Sequence, residues 1–94
     1  MWPIKIFKAR DRSMQPAIKE GDYLIVSRLY CRLMPGDIVV LRHPAKDISI
    51  VKRVSAASGN SLYVVGDNKA ESEDSRSFGS VKREKVIGKV MLKV

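Results

Sequence analysis

The residues of this sequence best suited to chemistry are Ser13, in a turn between two strand-like segments, and Lys52, inside an apolar strand. A serine hydroxyl is a poor nucleophile until a neighbouring base accepts its proton, and a neutral lysine amine can be that base. Most serines in turns only bond their own backbone, so Ser13 alone is weak evidence for an activity. The hypothesis therefore depends on how Lys52 is placed.

Residues 48–56 predict a strand in which successive side chains point to opposite faces. Ile48, Ile50, Lys52 and Val54 share one of these faces, so the lysine projects among β-branched aliphatic side chains. Desolvation disfavours the ammonium form, and it would lower the pKa of Lys52 enough for the amine to act as a base near neutral pH. The alternative is that Lys52 lies near the strand end and extends its charge into water.

The elements that must position this pair are mainly strands. Apolar alternation and turn residues predict strands at 4–10, 22–29, 38–41, 48–56, 62–65 and 86–94, and a helical turn at 81–85. The polar segment 66–80 has no apolar periodicity, and so long a loop in a small domain is uncommon unless it has a function. His43, beside Pro44 in a polar turn, is predicted to be exposed. The predicted fold is all-β, a small coiled β-sheet barrel of about six strands.

Composition limits the remaining possibilities. A chain of 94 residues, 45% hydrophobic and 30% charged, fits a single domain spanning residues 1–94. It contains no apolar run of the ~18 residues that a membrane helix needs, and Pro3 and Lys5 interrupt its start, so neither a span nor a signal peptide is predicted. We expect a soluble, cytoplasmic protein, with membrane-surface contact left open if the chain is part of a longer protein. The single Cys31 cannot form an intrachain disulfide, and no Cys/His spacing suggests a metal site, so neither metal nor cofactor is predicted.

The formal net charge of +8 would suit a polyanionic partner. The lysines and arginines are spread singly along the chain, however, and the few aromatic residues match no base-stacking cluster. A nucleic-acid partner is therefore not expected. A non-enzymatic β-barrel binding module, which uses its basic surface for an acidic protein or a nucleic acid, is the alternative to an enzyme.

Five short motifs in order resemble the successive boxes of signal peptidase I over about residues 12–90. They are Ser13, Met14, x, Pro16 followed by Gly21, Asp22; Gly36, Asp37, Ile38, Val39; Val51, Lys52, Arg53, Val54; Gly66, Asp67, Asn68; and Ser72, x, Asp74, Ser75, Arg76, x, Phe78, Gly79. The short length, the missing anchor and the run Arg42, His43, Pro44 are most similar to the small proteases proposed to mature nickel-type superoxide dismutase. Self-cleaving repressor domains share the fold and the Ser/Lys pair, but their DNA-binding domain has no counterpart in the sequence.

The resemblance implies a serine endopeptidase that removes an N-terminal leader or propeptide from a protein precursor through an acyl-enzyme. Ser13 would be the nucleophile and Lys52 the general base. Family precedent suggests small side chains before the cut. The precursor would be the protein partner.

The resemblance also implies supporting roles in the polar segment. Ser72 matches the serine that orients the lysine amine. Asp74 and Arg76 match a charged pair that braces the loop behind the site. Asp67 and Asn68 would support a turn through side-chain-to-backbone bonds.

One position departs from the family pattern. Two residues before the nucleophile the bacterial family commonly has Ser or Gly, which helps the N–H of the nucleophile to stabilise the oxyanion. Here the oxyanion region comprises Asp11, Arg12 and Ser13. Because an ionised carboxylate repels a developing negative charge, Asp11 points away, is protonated, or leaves the oxyanion to backbone donors alone.

Overall fold

The computed structural model describes residues 3–29 and 32–94, which form a curled, seven-stranded antiparallel sheet. The all-β prediction is confirmed, with seven strands where about six were expected. The sheet order is β1-β2-β7-β3-β4-β5-β6. The strands are β1 (Ile4–Lys8), β2 (Tyr23–Ser27), β3 (Ile38–Arg42), β4 (Ser49–Ser58), β5 (Ser61–Val65), β6 (Val81–Lys82) and β7 (Val86–Lys93).

The additional strand corrects the predicted helical turn at 81–85. Val81 pairs with Leu62 of β5 and is buried, so the first two residues of this segment extend the sheet, and only Arg83–Lys85 form a 3-10 turn. The polar segment 66–80 also contains regular structure, a 3-10 turn at Lys69–Glu71 and the short helix α1 (Ser75–Phe78). The sequence did not predict the 3-10 turn or α1, because both are short and polar and neither has the apolar periodicity by which a helix is recognised.

Strand β3 lies between the two apolar clusters of the described core. Val39 and Leu41 pack with residues of β4 and β5 on one side, while Val40 packs with Met14 and Leu24 on the other. A strand buried on both faces is typically a continuous apolar run, as the sequence of β3 is. One face of β3 therefore contacts the turn after β1 and strand β2, and the other face contacts residues of β4 and β5.

Three interruptions in strand register explain why the sheet curls. Register shifts occur between Ile25 and Val26, between Val40 and Leu41, and between Val54 and Ala56. An extra residue on one strand bends it and increases the local twist. The curvature turns the end of β1 and the start of β4 toward a common cavity, which both segments line.

Cys31, for which no chemical role was predicted, lies outside the described residues. Within residues 3–29 and 32–94, no helix has the length and apolar character needed to cross a membrane.

Candidate active site

Ser13 lies in the turn that follows β1 and is 1% exposed. Its neighbour Met14 is buried in the apolar cluster with Val40, which anchors the turn to the core. On the other side, the Asn68 N–H donates to the Ser13 carbonyl at 2.8 Å. The serine backbone is thus held between the core and the segment that follows β5.

Lys52 is 2% exposed, so the alternative in which it extends its charge into water is wrong. Its same-face neighbours Ile50 and Val54 are buried with it. Ile48 precedes β4 and is half exposed, so its predicted part in the desolvation is wrong. Burial lowers the pKa of the Lys52 amine below its ordinary value.

Charges around Lys52 modify this effect of burial. Asp11, Asp74 and Glu73 favour the ammonium form and oppose the lowering of the pKa, whereas Arg76 contributes to it. Desolvation outweighs the three carboxylates, so the net direction remains downward. An amine with a lowered pKa can be a proton acceptor closer to neutral pH.

The Ser72 hydroxyl accepts a hydrogen bond from the Lys52 amine. Lys52 Nζ donates to Ser72 Oγ at 3.2 Å, and Ser72 Oγ donates to Asp74 Oδ2 at 2.6 Å. Because the single hydroxyl proton goes to Asp74, the oxygen lone pairs are free to accept from the lysine. The chain from Lys52 through Ser72 to Asp74 therefore has a defined direction.

Asp74 is the anchor of this chain and is 1% exposed. Its carboxylate accepts from the Gly66 N–H at 2.8 Å, and from Arg76 Nε at 3.0 Å and Nη2 at 2.5 Å. Burial alone would raise the pKa of Asp74, but the hydrogen bonds from Arg76, Gly66 and Ser72 hold it well below its ordinary value. The residue is therefore ionised at neutral pH, and it also caps α1 by accepting from the Arg76 N–H.

Gly66 lies where the serine turn and the lysine-orienting loop meet. A Cβ atom built at this position would lie 2.1 Å from Ser72 Oγ and 2.6 Å from the Ser13 carbonyl oxygen. Both distances are far inside van der Waals contact. Only glycine therefore allows Ser13 and Ser72 to approach each other as they do.

Asp11 faces Ser13 and does not point away from it. Asp11 Oδ1 accepts from the Ser13 N–H at 3.0 Å and from Ser13 Oγ at 2.9 Å. The Arg12 side chain instead reaches exposed Glu20, at 3.7 Å between Nε and Oε1. Of the predicted oxyanion region 11–13, the Asp11 carboxylate thus contacts both the hydroxyl and the backbone N–H of Ser13, and the Arg12 side chain reaches Glu20.

Asp67 and Asn68 make side-chain bonds at the start of the polar segment 66–80. Asp67 accepts from Arg53 Nε and Nη2 at 2.9 and 2.8 Å, a two-point contact that also raises the pKa of Arg53. Asn68 Nδ2 donates to the Arg12 carbonyl at 3.1 Å. The loop after β5 is tied in this way both to β4 and to the serine turn.

His43 was predicted to be exposed, but it is buried. It is 7% exposed, not solvent-facing, and its ring packs edge-on against Phe78 with centroids 5.1 Å apart. Nδ1 accepts from the N–H groups of Ala45 and Lys46, so the ring proton is assigned to Nε2, which donates to Glu73 Oε1 at 2.7 Å. That hydrogen bond, with the one from Lys46, lowers the pKa of Glu73.

The contact between His43 and Glu73 joins the turn after β3 to the residue between Ser72 and Asp74. A separation of 30 positions in sequence hid this contact from local pattern reasoning. The one available signal was that Glu73 lies between two residues of the resembled motif. His43 thus contributes to holding the loop that orients Lys52.

A cavity of about 360 Å³ opens beside the serine turn, between the end of β1 and the start of β4. Its walls are largely apolar, and Asp11 and Met14, on either side of Ser13 in sequence, both line it. The apolar lining comprises Phe7, Ala9, Met14, Ile18, Val40, Ile48, Ile50 and Val51. Such a cavity can hold apolar side chains beside the turn that contains Ser13.

Comparison with known proteins identifies a family for the chain. The family model described as Peptidase S24-like matches residues 3–91. No curated protein matches the chain significantly. The match spans every strand of the sheet except the last residues of β7, and it includes both Ser13 and Lys52.

Proposed function

The chain belongs to the Peptidase S24-like family, a serine peptidase type, and from this premise we propose that it is an endopeptidase with Ser13 as nucleophile and Lys52 as general base. The observation that carries the proposal is the burial of Lys52, 2% exposed, with its amine aligned by Ser72. Burying a lysine costs free energy unless the neutral form is used. A Ser/Lys dyad uses that form.

The proposed reaction proceeds in two stages. Neutral Lys52 accepts the proton of Ser13 Oγ as the oxygen attacks the scissile carbonyl, and the resulting ammonium gives the proton to the leaving amine. Water then attacks the acyl-enzyme as the neutral Lys52 amine takes its proton, and the ammonium returns a proton to Ser13 Oγ when the acyl–oxygen bond breaks. The Ser13 N–H is a candidate oxyanion donor, since it belongs to the nucleophile itself.

The substrate would be a protein precursor with an N-terminal leader or propeptide. The apolar cavity beside Ser13 supports this proposal because it can take small apolar side chains that precede the cut. The run Arg42, His43, Pro44 makes the precursor of nickel-type superoxide dismutase the first candidate to test. Signal-peptide-like leaders form the second group of candidates.

Incubation with candidate precursors, followed by mass spectrometry of the products, tests the proposal. We expect one N-terminal fragment from the wild type, and none from Ser13→Ala, Lys52→Ala or Lys52→Arg. The arginine variant should fail because a guanidinium remains protonated and cannot accept the serine proton. Lys82→Ala, at an exposed position of β6, is the matched control and should cleave normally.

The double variant Ser13→Ala, Lys52→Ala shows whether the two residues act together as a dyad or contribute independently to the rate. Ser13→Ala with Lys52→Ala should cost little more than either change, because nucleophile and base act as one unit. Activity that survives in Lys52→Arg would remove Lys52 from the mechanism. A wild type that binds precursors without cutting any of them would favour the non-enzymatic binding module.

A further inference from the structure

One carboxylate oxygen of Asp11 accepts hydrogen bonds from both the N–H and the hydroxyl of Ser13, the two groups that the proposed reaction needs. Asp11 Oδ1 accepts from the Ser13 N–H at 3.0 Å and from the Ser13 hydroxyl at 2.9 Å. In the reaction that N–H would donate to the oxyanion, and that hydroxyl proton would go to Lys52. The arrangement is therefore a resting one, in which neither group is available.

We propose that Asp11 is a positioning residue that the substrate displaces, so that entry of the scissile carbonyl frees the nucleophile and favours the neutral form of its base. The proposal rests on the Ser13/Lys52 function above. The carbonyl oxygen replaces Asp11 Oδ1 on the Ser13 N–H. The hydroxyl, released from the carboxylate, then turns its proton to the lysine.

The contacts of the acidic groups around Lys52 identify Asp11 as the one that can move. Asp74 is held by Gly66, Ser72 and Arg76, and Glu73 by His43 and Lys46. Within the described part of the chain, both hydrogen bonds of the Asp11 side chain go to Ser13. Displacing it therefore breaks no contact with the loop that orients the lysine.

The position of Asp11 also places it in the path of a substrate. The residue is exposed and lines the apolar cavity together with Met14. A peptide whose side chains fill this cavity must bring its backbone past the carboxylate to reach Ser13. Exposed Arg10 and Arg12 flank Asp11 in sequence and offer cationic surroundings to a displaced carboxylate.

Displacement would also change the electrostatics of the base. Among the charged groups acting on Lys52, Asp11, Asp74 and Glu73 favour the ammonium form, and Arg76 opposes it. Removing the charge of Asp11 from this set lowers the pKa of Lys52 further. The lysine would then be neutral in a larger fraction of molecules with substrate bound than in the free enzyme.

Two variants separate the charge of Asp11 from its hydrogen bonds. Asp11→Asn removes the charge but keeps an oxygen that can accept from Ser13, whereas Asp11→Ala removes both. Glu84→Gln, at an exposed position of the second 3-10 turn, is the matched control for the loss of one acidic charge. All three are compared with the wild type on a candidate precursor that the wild type cleaves.

The pH dependence of kcat/KM reports the free enzyme, and that of kcat reports the substrate complex. For the wild type we expect the rise of kcat/KM to be centred at higher pH than the rise of kcat. Asp11→Asn and Asp11→Ala should lower the midpoint of kcat/KM by about one pH unit, so that it approaches the midpoint of kcat. Below the midpoint this shift raises kcat/KM about tenfold, because the neutral fraction of the base changes tenfold per pH unit. In Asp11→Ala the KM should also fall, since no acceptor remains to compete for the Ser13 N–H.

An NMR titration of the Lys52 side chain in each variant provides a readout that needs no substrate. The Lys52 midpoint should fall in both Asp11 variants and stay unchanged in Glu84→Gln. An active wild type whose midpoints for kcat/KM and kcat coincide, with Lys52 titrating alike in all variants, would overturn the role of Asp11 and leave the peptidase intact. A wild type that cuts no precursor would instead refute the proposed function, and an unmoved Lys52 titration would then separately refute the coupling to Asp11.

Discussion

Lys52 Nζ lies 3.2 Å from Ser72 Oγ, so a neutral hydroxyl and not a carboxylate makes the hydrogen bond that directs the amine. A carboxylate in direct contact would favour the ammonium form and raise the pKa of the lysine. Here the charge of Asp74 is one hydrogen bond further away, behind the hydroxyl. The amine is thereby oriented while burial still lowers its pKa.

Ser72→Ala is expected to reduce kcat by roughly 10- to 100-fold with little change in KM, because orientation supports proton transfer without being the transfer itself. The loss should be smaller than that in Ser13→Ala. Steady-state kinetics on the cleaved precursor measures both parameters. Ser77→Ala, an exposed serine of α1, is the control and should behave like the wild type. Unchanged kcat in Ser72→Ala would show that the hydroxyl does not serve the base.

Gly66→Ala is expected to abolish activity and to destabilise the protein. The added Cβ would meet the backbone oxygen of Ser13 and Ser72 Oγ, and the backbone oxygen can yield only if the serine turn moves. Gly59→Ala is the matched control, because nothing lies within 4 Å of its Cβ and its φ of +56° costs only about 1–2 kcal/mol of backbone strain. Thermal unfolding and precursor cleavage distinguish the two variants. Normal cleavage by Gly66→Ala would contradict the close approach of the two serine segments.

Asp74→Ala is expected mainly to lower the stability of the fold, and to lower activity as a consequence. It leaves the buried Gly66 N–H without its acceptor and removes the ionic partner of Arg76, for a cost of about 2–4 kcal/mol. In the wild type the lowered pKa of Asp74 adds stability that is fully present above the ordinary aspartate pKa of about 4 and is lost as the pH falls toward the folded-state value. Denaturation at pH 7 and at pH 3 should therefore show a smaller difference between variant and wild type at the lower pH. A difference that does not change with pH would indicate that Asp74 has the same pKa in the folded and unfolded protein, against the lowered folded-state pKa.

The strand alternation of residues 48–56 predicted which face Lys52 occupies, because side-chain direction in a strand follows from local geometry alone. The burial of His43 and its contact with Glu73 could not be predicted in the same way, since they depend on two loops meeting across the fold. The short strand β6 was hidden for a related reason, as its two residues become a strand only by pairing with β5. Asp11 was recognised as unusual from the sequence, but its contact with both polar groups of Ser13 required the folded turn.

Lys52→Met should make the protein inactive and more stable at neutral pH, because it replaces a buried amine by an apolar side chain of similar length. The sign of the pH dependence follows from the lowered pKa of Lys52. Between that folded-state pKa and the unfolded value of about 10.4, the unfolded chain binds a proton that the folded protein does not, so the free energy of unfolding of the wild type rises with pH in this window. Urea denaturation from pH 6 to pH 10 should show the advantage of Lys52→Met largest at low pH and shrinking as the pH rises. Lys82→Met, at the exposed position in β6, should show no such trend. An advantage of Lys52→Met that stays constant with pH would mean that Lys52 titrates normally when folded, and the case for a desolvated lysine base would fail.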